Sequence, residues 1–177
     1  MLFPYTESRK IELSPAAADD AAQAYEILFR LGAPGLPMID EFAENFGAGL
    51  SACFLVRRKD TEEVIGLSTL SKLHAAGHLH LEVHLAAEAA DEFAGEVHAL
   101  TANFAFAMWR TRKVYLHLPT DDASGTGFGD AAKALLRPEA VLPDHAYFHG
   151  RLWDIHILAV HRDDWNTHGV DLLKQIV

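Results

Sequence analysis

Between residues 78 and 118 the sequence changes period twice, and that succession leaves few folds open. His78 to Leu85 alternates, with His80, Glu82 and His84 on one side and Leu79, Leu81, Val83 and Leu85 on the other. This is the period of two that a half-buried strand requires. From Glu92 to Trp109 the apolar positions Val97, Leu100, Phe104 and Met108 are spaced for one buried helix face. Lys113 to Leu118 alternates again and stops at Pro119. A strand, a long helix and a strand in that order predict a sheet with a helix laid across it.

The flanking segments extend the pattern. Arg9 to Leu13 reads as a first strand, with Ser14 as N-cap and Pro15 as the first residue of a helix reaching Leu31. That helix carries an apolar stripe of Ala21, Ala24, Tyr25, Leu28 and Phe29. A shorter helix is expected from Met38 to Phe46, ended by Gly47 and Gly49. Strands over Cys53–Arg58 and Val64–Leu70 are joined by the polar turn Lys59–Glu63. After the glycine-rich stretch at Gly125, Gly127 and Gly129, a helix is expected over Ala131–Leu136, then strands at Ala146–His149 and Asp154–Val160. The order β, α, α, three antiparallel strands, then αβαββ predicts an α+β fold in one domain over residues 1–177.

Charge and cysteine usage narrow the function classes. The chain of 177 residues has a net charge of −10, which disfavours broad nucleic-acid binding because that needs clustered Lys and Arg. Arg110, Arg112 and Lys113 form the one basic strip, at a helix-to-strand junction where cations commonly cap a helix. No apolar run is long enough to span a bilayer, and the start lacks a basic segment followed by an apolar stretch, so neither a membrane span nor a secretory signal is expected. Cys53 stands alone, which excludes an intrachain disulfide and points to the cytoplasm. The eleven histidines form pairs such as His78 with His80 and His145 with His149, but no cysteine or second carboxylate pair completes a tetrahedral set, so no metal is expected.

The tail carries the most specific signal. Tyr147-Phe-His-Gly-Arg-Leu-Trp-Asp-Ile-His-Ile-Leu-Ala-Val-His-Arg-Asp-Asp-Trp165 resembles the closing segment of GNAT N-acyltransferases of the ribosomal-protein (Rim-type) branch: an aromatic strand, a Gly-Arg turn, an Asp-bearing strand, then Arg-acid-acid-Trp. The hairpin from Ile65-Gly66 to Leu70, and the position of Glu82, are similar to the same family. The resemblance covers essentially the whole chain. It implies a mixed, mostly antiparallel twisted sheet flanked by helices, and transfer of an acyl group from acetyl-CoA or another acyl thioester to a primary amine of a small molecule or a protein N-terminus. Many members dimerise, so a homodimer is also implied.

The resemblance implies roles by position. Glu82 falls where a base would act, with His84 sharing its proton relay. Ser124 would donate toward the leaving sulfur, or simply cap a helix. The thioester cofactor would run along Val83 and Leu85 and meet Phe93, Ala94 and Gly95 at the helix start, with Asp121 near the next helix. His80, Tyr115, His117, Asp154 and His156 would line the substrate side. One departure stands out. The family places a basic, glycine-containing loop before the long helix, where backbone N–H groups hold the CoA pyrophosphate; here those positions read Ala89-Ala-Asp-Glu-Phe-Ala94. The alternatives are therefore an acyl group carried on a carrier protein or an aminoacyl-tRNA, or a non-catalytic binder.

Overall fold

A computed structural model describes residues 2–33, 35–120, 123–148 and 150–177. Asp121 and His149, both used in the sequence argument, lie outside the described residues. Seven strands form one sheet in the order β1-β2-β3-β4-β5-β7-β6. They are β1 Ile11–Pro15, β2 Leu50–Arg58, β3 Val64–His74, β4 His78–Leu85, β5 Lys113–Leu118, β6 Leu136–Phe148 and β7 Arg151–His161. Neighbours run antiparallel except β4 and β5. Four helices precede β6: α1 Ala21–Arg30, α2 Ile39–Glu44, α3 Ala87–Met108 and the short α4 Ala132–Leu135.

The alternation of β4 is realised as expected. Leu79, Leu81 and Leu85 are buried beneath α3, together with Val97, Leu100 and Phe106 of the helix and Val114, Leu116, Leu158 and Val160 of the neighbouring strands. On the opposite face α1 lays Ala24 and Leu28 against Leu55 and Leu67, so each sheet face has its own apolar layer. Gly77 makes the β3–β4 turn at a φ of 82°, where a side chain would be strained, and its carbonyl accepts from the Arg112 N–H at 2.6 Å. That bond ties the start of β4 to the chain leaving α3 and sets the two strands parallel.

Several boundaries differ from expectation. Pro15 ends β1 instead of opening a helix; the carboxylate of Asp20 caps the turn before α1 by accepting from the Ala17 N–H at 2.8 Å. The expected strand at Ala146–His149 begins far earlier: β6 runs from Leu136, directly after α4, and pairs with β7 across two register shifts. A helical tail follows β7: α5 Arg162–Asp164, a π-type turn Trp165–Gly169, and α6 Val170–Ile176. The Arg-acid-acid-Trp segment anchors it. The Arg162 guanidinium donates to the carbonyls of Thr111, Phe106 and Trp109 at 2.5, 2.7 and 2.8 Å, satisfying the end of α3, while Trp165 is fully buried. Among the described residues no helix is long and apolar enough to cross a membrane.

Candidate active site

β4 and β5 pair only over His78–His80 with Lys113–Tyr115. Beyond that point β5 stays paired to β7, and β4 to β3, so the two central strands part and leave a cleft between them. The cleft measures about 800 Å³ and is walled by Val83 and Leu116, by Leu31 and Leu36 after α1, and by Phe148 and Ile155 of the β6–β7 hairpin. A second chamber of about 460 Å³ lies under α2, where Glu41, Phe42, Asn45 and Phe46 face Cys53 and Thr69. Glu82 and His84 line both spaces. The period of two produces this placement: the polar face of β4 is the one turned from α3, and it meets both chambers where the strand loses its β5 partner.

The His84 Nε2 stands 3.9 Å from the Glu82 carboxylate, an ion-pair separation. His84 holds the Glu82 carboxyl below the ordinary carboxylate range, so it is an anion at neutral pH. Burial, reinforced by the nearby His117 and Lys72, pushes His80 down to about 4; its ring lies 4.4 Å from that of His117, itself lowered by burial. His117 lines the cleft. Burial raises the Cys53 thiol to about 11, which keeps it neutral and unsuited to nucleophilic attack.

The other expected residues divide. Val83 lines the cleft, whereas Leu85 is buried in the core under α3. Phe93, Ala94 and Gly95 do not form a loop: α3 begins at Ala87, directly after β4, because Ala86-Ala-Glu-Ala-Ala90 is a run of strong helix formers with nothing to interrupt it. Their backbone N–H groups are therefore helical. Phe93 and Ala94 are buried, Glu92 pairs with Lys10 at 3.0 Å, and Gly95 packs backbone to backbone against Gly127. Ser124 lies exposed in the 3-10 turn Ala123–Thr126, one residue from Gly125, which lines the cleft. Tyr115 donates to Glu139 at 3.0 Å beside the paired part of β5.

Asp154 and His156 are not brought to the cleft. They share a strand face with Leu158 and Val160, which are buried in the α3 layer, so Ile155 between them takes the cleft position instead. Asp154 accepts from the Asp144 N–H at 2.9 Å within the hairpin, and His156 borders a separate shallow depression beside Val141. Sequence reasoning missed Glu41 of α2 and Asn45 directly after it, and the buried His98 of α3, which also lines the cleft. Among the described residues no cluster of three or more His, Cys, Asp or Glu could hold a metal ion.

No protein-family model matches the chain, and no curated protein matches it. Solved structures do. A chimera of the spermidine N-acetyltransferase SpeG from Vibrio cholerae and hSSAT is 15% identical with a TM-score of 0.74, over 89% of this chain and 98% of that one. The dodecameric spermidine N-acetyltransferase of Vibrio cholerae in an intermediate state gives 0.73 at 15% identity, over 88% and 95%. The Vibrio cholerae enzyme in complex with CoA and spermine gives 0.72 at 15% identity, over 88% and 98%. These likenesses establish the fold as that of the GNAT N-acetyltransferases, and they do not single out the Rim-type branch.

Proposed function

We propose that this chain is a GNAT-type N-acyltransferase that moves an acyl group from a thioester to a primary amine of a small molecule. The observation that carries this reading is the position of Glu82 and His84 on the wall common to two chambers, beside the parting of β4 and β5. The apolar cleft suits the extended arm of a thioester, and the unpaired edge of β4 supplies backbone groups for its amides. The chamber under α2 offers Glu41 and Glu82 to an ammonium group and Phe42 and Phe46 to its carbon chain. The complex of a structural neighbour with CoA and spermine supports both assignments.

In this mechanism the amine arrives as an ammonium ion held by the Glu82 carboxylate. It gives up a proton to Glu82, directly or through a water, and His84, 3.9 Å from that carboxylate, passes the proton on. The neutral nitrogen attacks the thioester carbonyl and the C–S bond breaks. The proton that the nitrogen sheds on becoming an amide goes to the leaving thiolate. Ser124, beside the cleft residue Gly125, is a hydroxyl that can relay it by taking one proton as it gives another. The product amide and a free thiol balance the step. Holding the two reactants at one wall supplies much of the rate. The lone Cys53, with no disulfide to form, fits a cytoplasmic setting. The resemblance and the oligomeric neighbour extend the reading to self-association, for which Val141, Tyr147 and Leu152 of the hairpin are exposed apolar residues.

A second reading of the donor rests on α3. Where the family holds a pyrophosphate on loop N–H groups, this chain has helical residues and the carboxylates of Glu88, Asp91 and Glu92. A donor recognised by its arm alone, such as one borne on a carrier protein, needs no such loop, whereas an aminoacyl-tRNA fits poorly with a net charge of −10. Thiol release from acetyl-CoA and from S-acetylpantetheine, with spermidine and a panel of monoamines, tests both readings. Transfer is expected, and Glu82→Gln is expected to lower kcat about 100-fold with unchanged circular dichroism. No acetylated product from either donor would overturn the enzyme assignment. Similar kcat/KM for the two donors favours arm-only recognition, and a large advantage for acetyl-CoA removes it.

A further inference from the structure

We infer that His98 is a donor-binding residue: its Nε2 accepts a hydrogen bond from a secondary-amide N–H of the arm that carries the thioester. This rests on the acyltransferase reading and adds to it a contact on α3, the helix behind the cleft, where neither the β4 face nor the acceptor chamber reaches. His98 is 6% exposed, yet it forms part of the cleft wall with Val83, Leu116 and Gly125. Its Nδ1 lies 2.8 Å from the carbonyl oxygen of Ala94, one turn earlier on α3. A carbonyl oxygen can only accept, so Nδ1 carries the ring proton and Nε2 is left with a bare lone pair. That lone pair has no hydrogen-bond partner among the described residues.

The ring is held in this state and orientation. The edge-to-face contact with the buried Phe128, centroids 6.0 Å apart, and the bond to Ala94 fix it from two sides. Burial lowers its pKa to about 4, so at neutral pH the imidazole is uncharged and Nε2 remains an acceptor. Nε2 is thus an acceptor in the cleft wall with no donor among the described residues, a position that an N–H from the cleft's occupant fills. The arm of an acyl thioester of the pantetheine type carries secondary amides along an extended chain, and the amide N–H is the donor it can offer there.

The test uses the intact protein labelled with ¹⁵N at its histidines. S-ethylpantetheine and S-ethyl-CoA carry the same arm and cannot transfer it, so each is titrated in turn. The free protein is expected to show His98 as the neutral Nδ1–H tautomer, and its Nε2 resonance is expected to move upfield as the arm saturates the cleft. His98→Phe, which keeps a flat ring and removes the acceptor, is expected to weaken arm binding and raise the donor KM about tenfold with kcat little changed. A structural role alone would not move the wild-type Nε2 resonance. Saturable binding with that resonance fixed would overturn the assignment of His98 and leave the acyltransferase reading standing. Absence of binding by either thioether would overturn both. Should His98→Phe fail to fold, the wild-type titration still decides.

Discussion

His80, His98 and His117 are imidazoles that burial holds toward the neutral form, His80 and His98 down to about 4 and His117 below its ordinary value. The consequence for stability has a definite sign. In the unfolded chain a histidine titrates near an ordinary value of about 6.5, so below that pH the unfolded state binds protons that the folded state refuses. The stabilisation is complete above pH 6.5 and is lost as the pH falls toward 4. Each such proton changes the unfolding free energy by about 1.4 kcal/mol per pH unit inside that window. Urea midpoints should therefore fall steadily from pH 7 to pH 4.5, and more shallowly in His98→Phe. A midpoint that stays flat down to pH 5 would contradict neutral, buried rings.

At the scale of elements, α3 decides what the site can bind. Its start at Ala87 converts the positions expected for an anion-holding loop into helical backbone, and its fourth turn presents His98 to the cleft. Three residues before His98, Gly95 packs against Gly127, the latter at a φ of 68°. In an exposed helix Gly→Ala stabilises by about 1 kcal/mol. Here a Cβ on Gly95 would run into the Gly127 carbonyl, which is backbone and cannot rotate away. Gly95→Ala is expected to destabilise by about 1–3 kcal/mol, and to weaken arm binding as the 3-10 turn is pushed off the helix. Chemical denaturation settles the sign, and a more stable variant would remove Gly95 as a packing point.

For the molecule as a whole, the net charge of −10 and the anionic Glu82 at the chamber wall favour capture of a cationic acceptor. The expected signature is kinetic. Acceptor kcat/KM for a polyamine should fall as ionic strength rises from 20 to about 300 mM, because the Debye length shrinks to below ~10 Å. A monoamine should respond less, and equal salt dependence for the two would remove charge steering as a source of specificity. The expected order of elements and the mixed, mostly antiparallel sheet are present in the structure, and the fold is shared with spermidine N-acetyltransferases at 15% identity.

The β4 sequence by itself determined which of its side chains go into the core, because a period of two admits one solution once the leucines go inward. The succession of strand, long helix and strand likewise determined the core of the fold. Other features were in the sequence and were misread: Ala86 to Ala90 is a helix-forming run, so the start of α3 was legible from propensity while the family pattern suggested a loop. Only the tertiary structure decided that β4 and β5 part after three pairs, that α2 closes a chamber against Glu82, and that Ile155 in place of Asp154 and His156 meets the cleft. Strand parity says that two residues share a face, but not which face looks onto the site; that depends on the side to which α3 packs. His98 was hidden for the same reason, since a lone histidine on an apolar helix face looks like core until the cleft beside it is known.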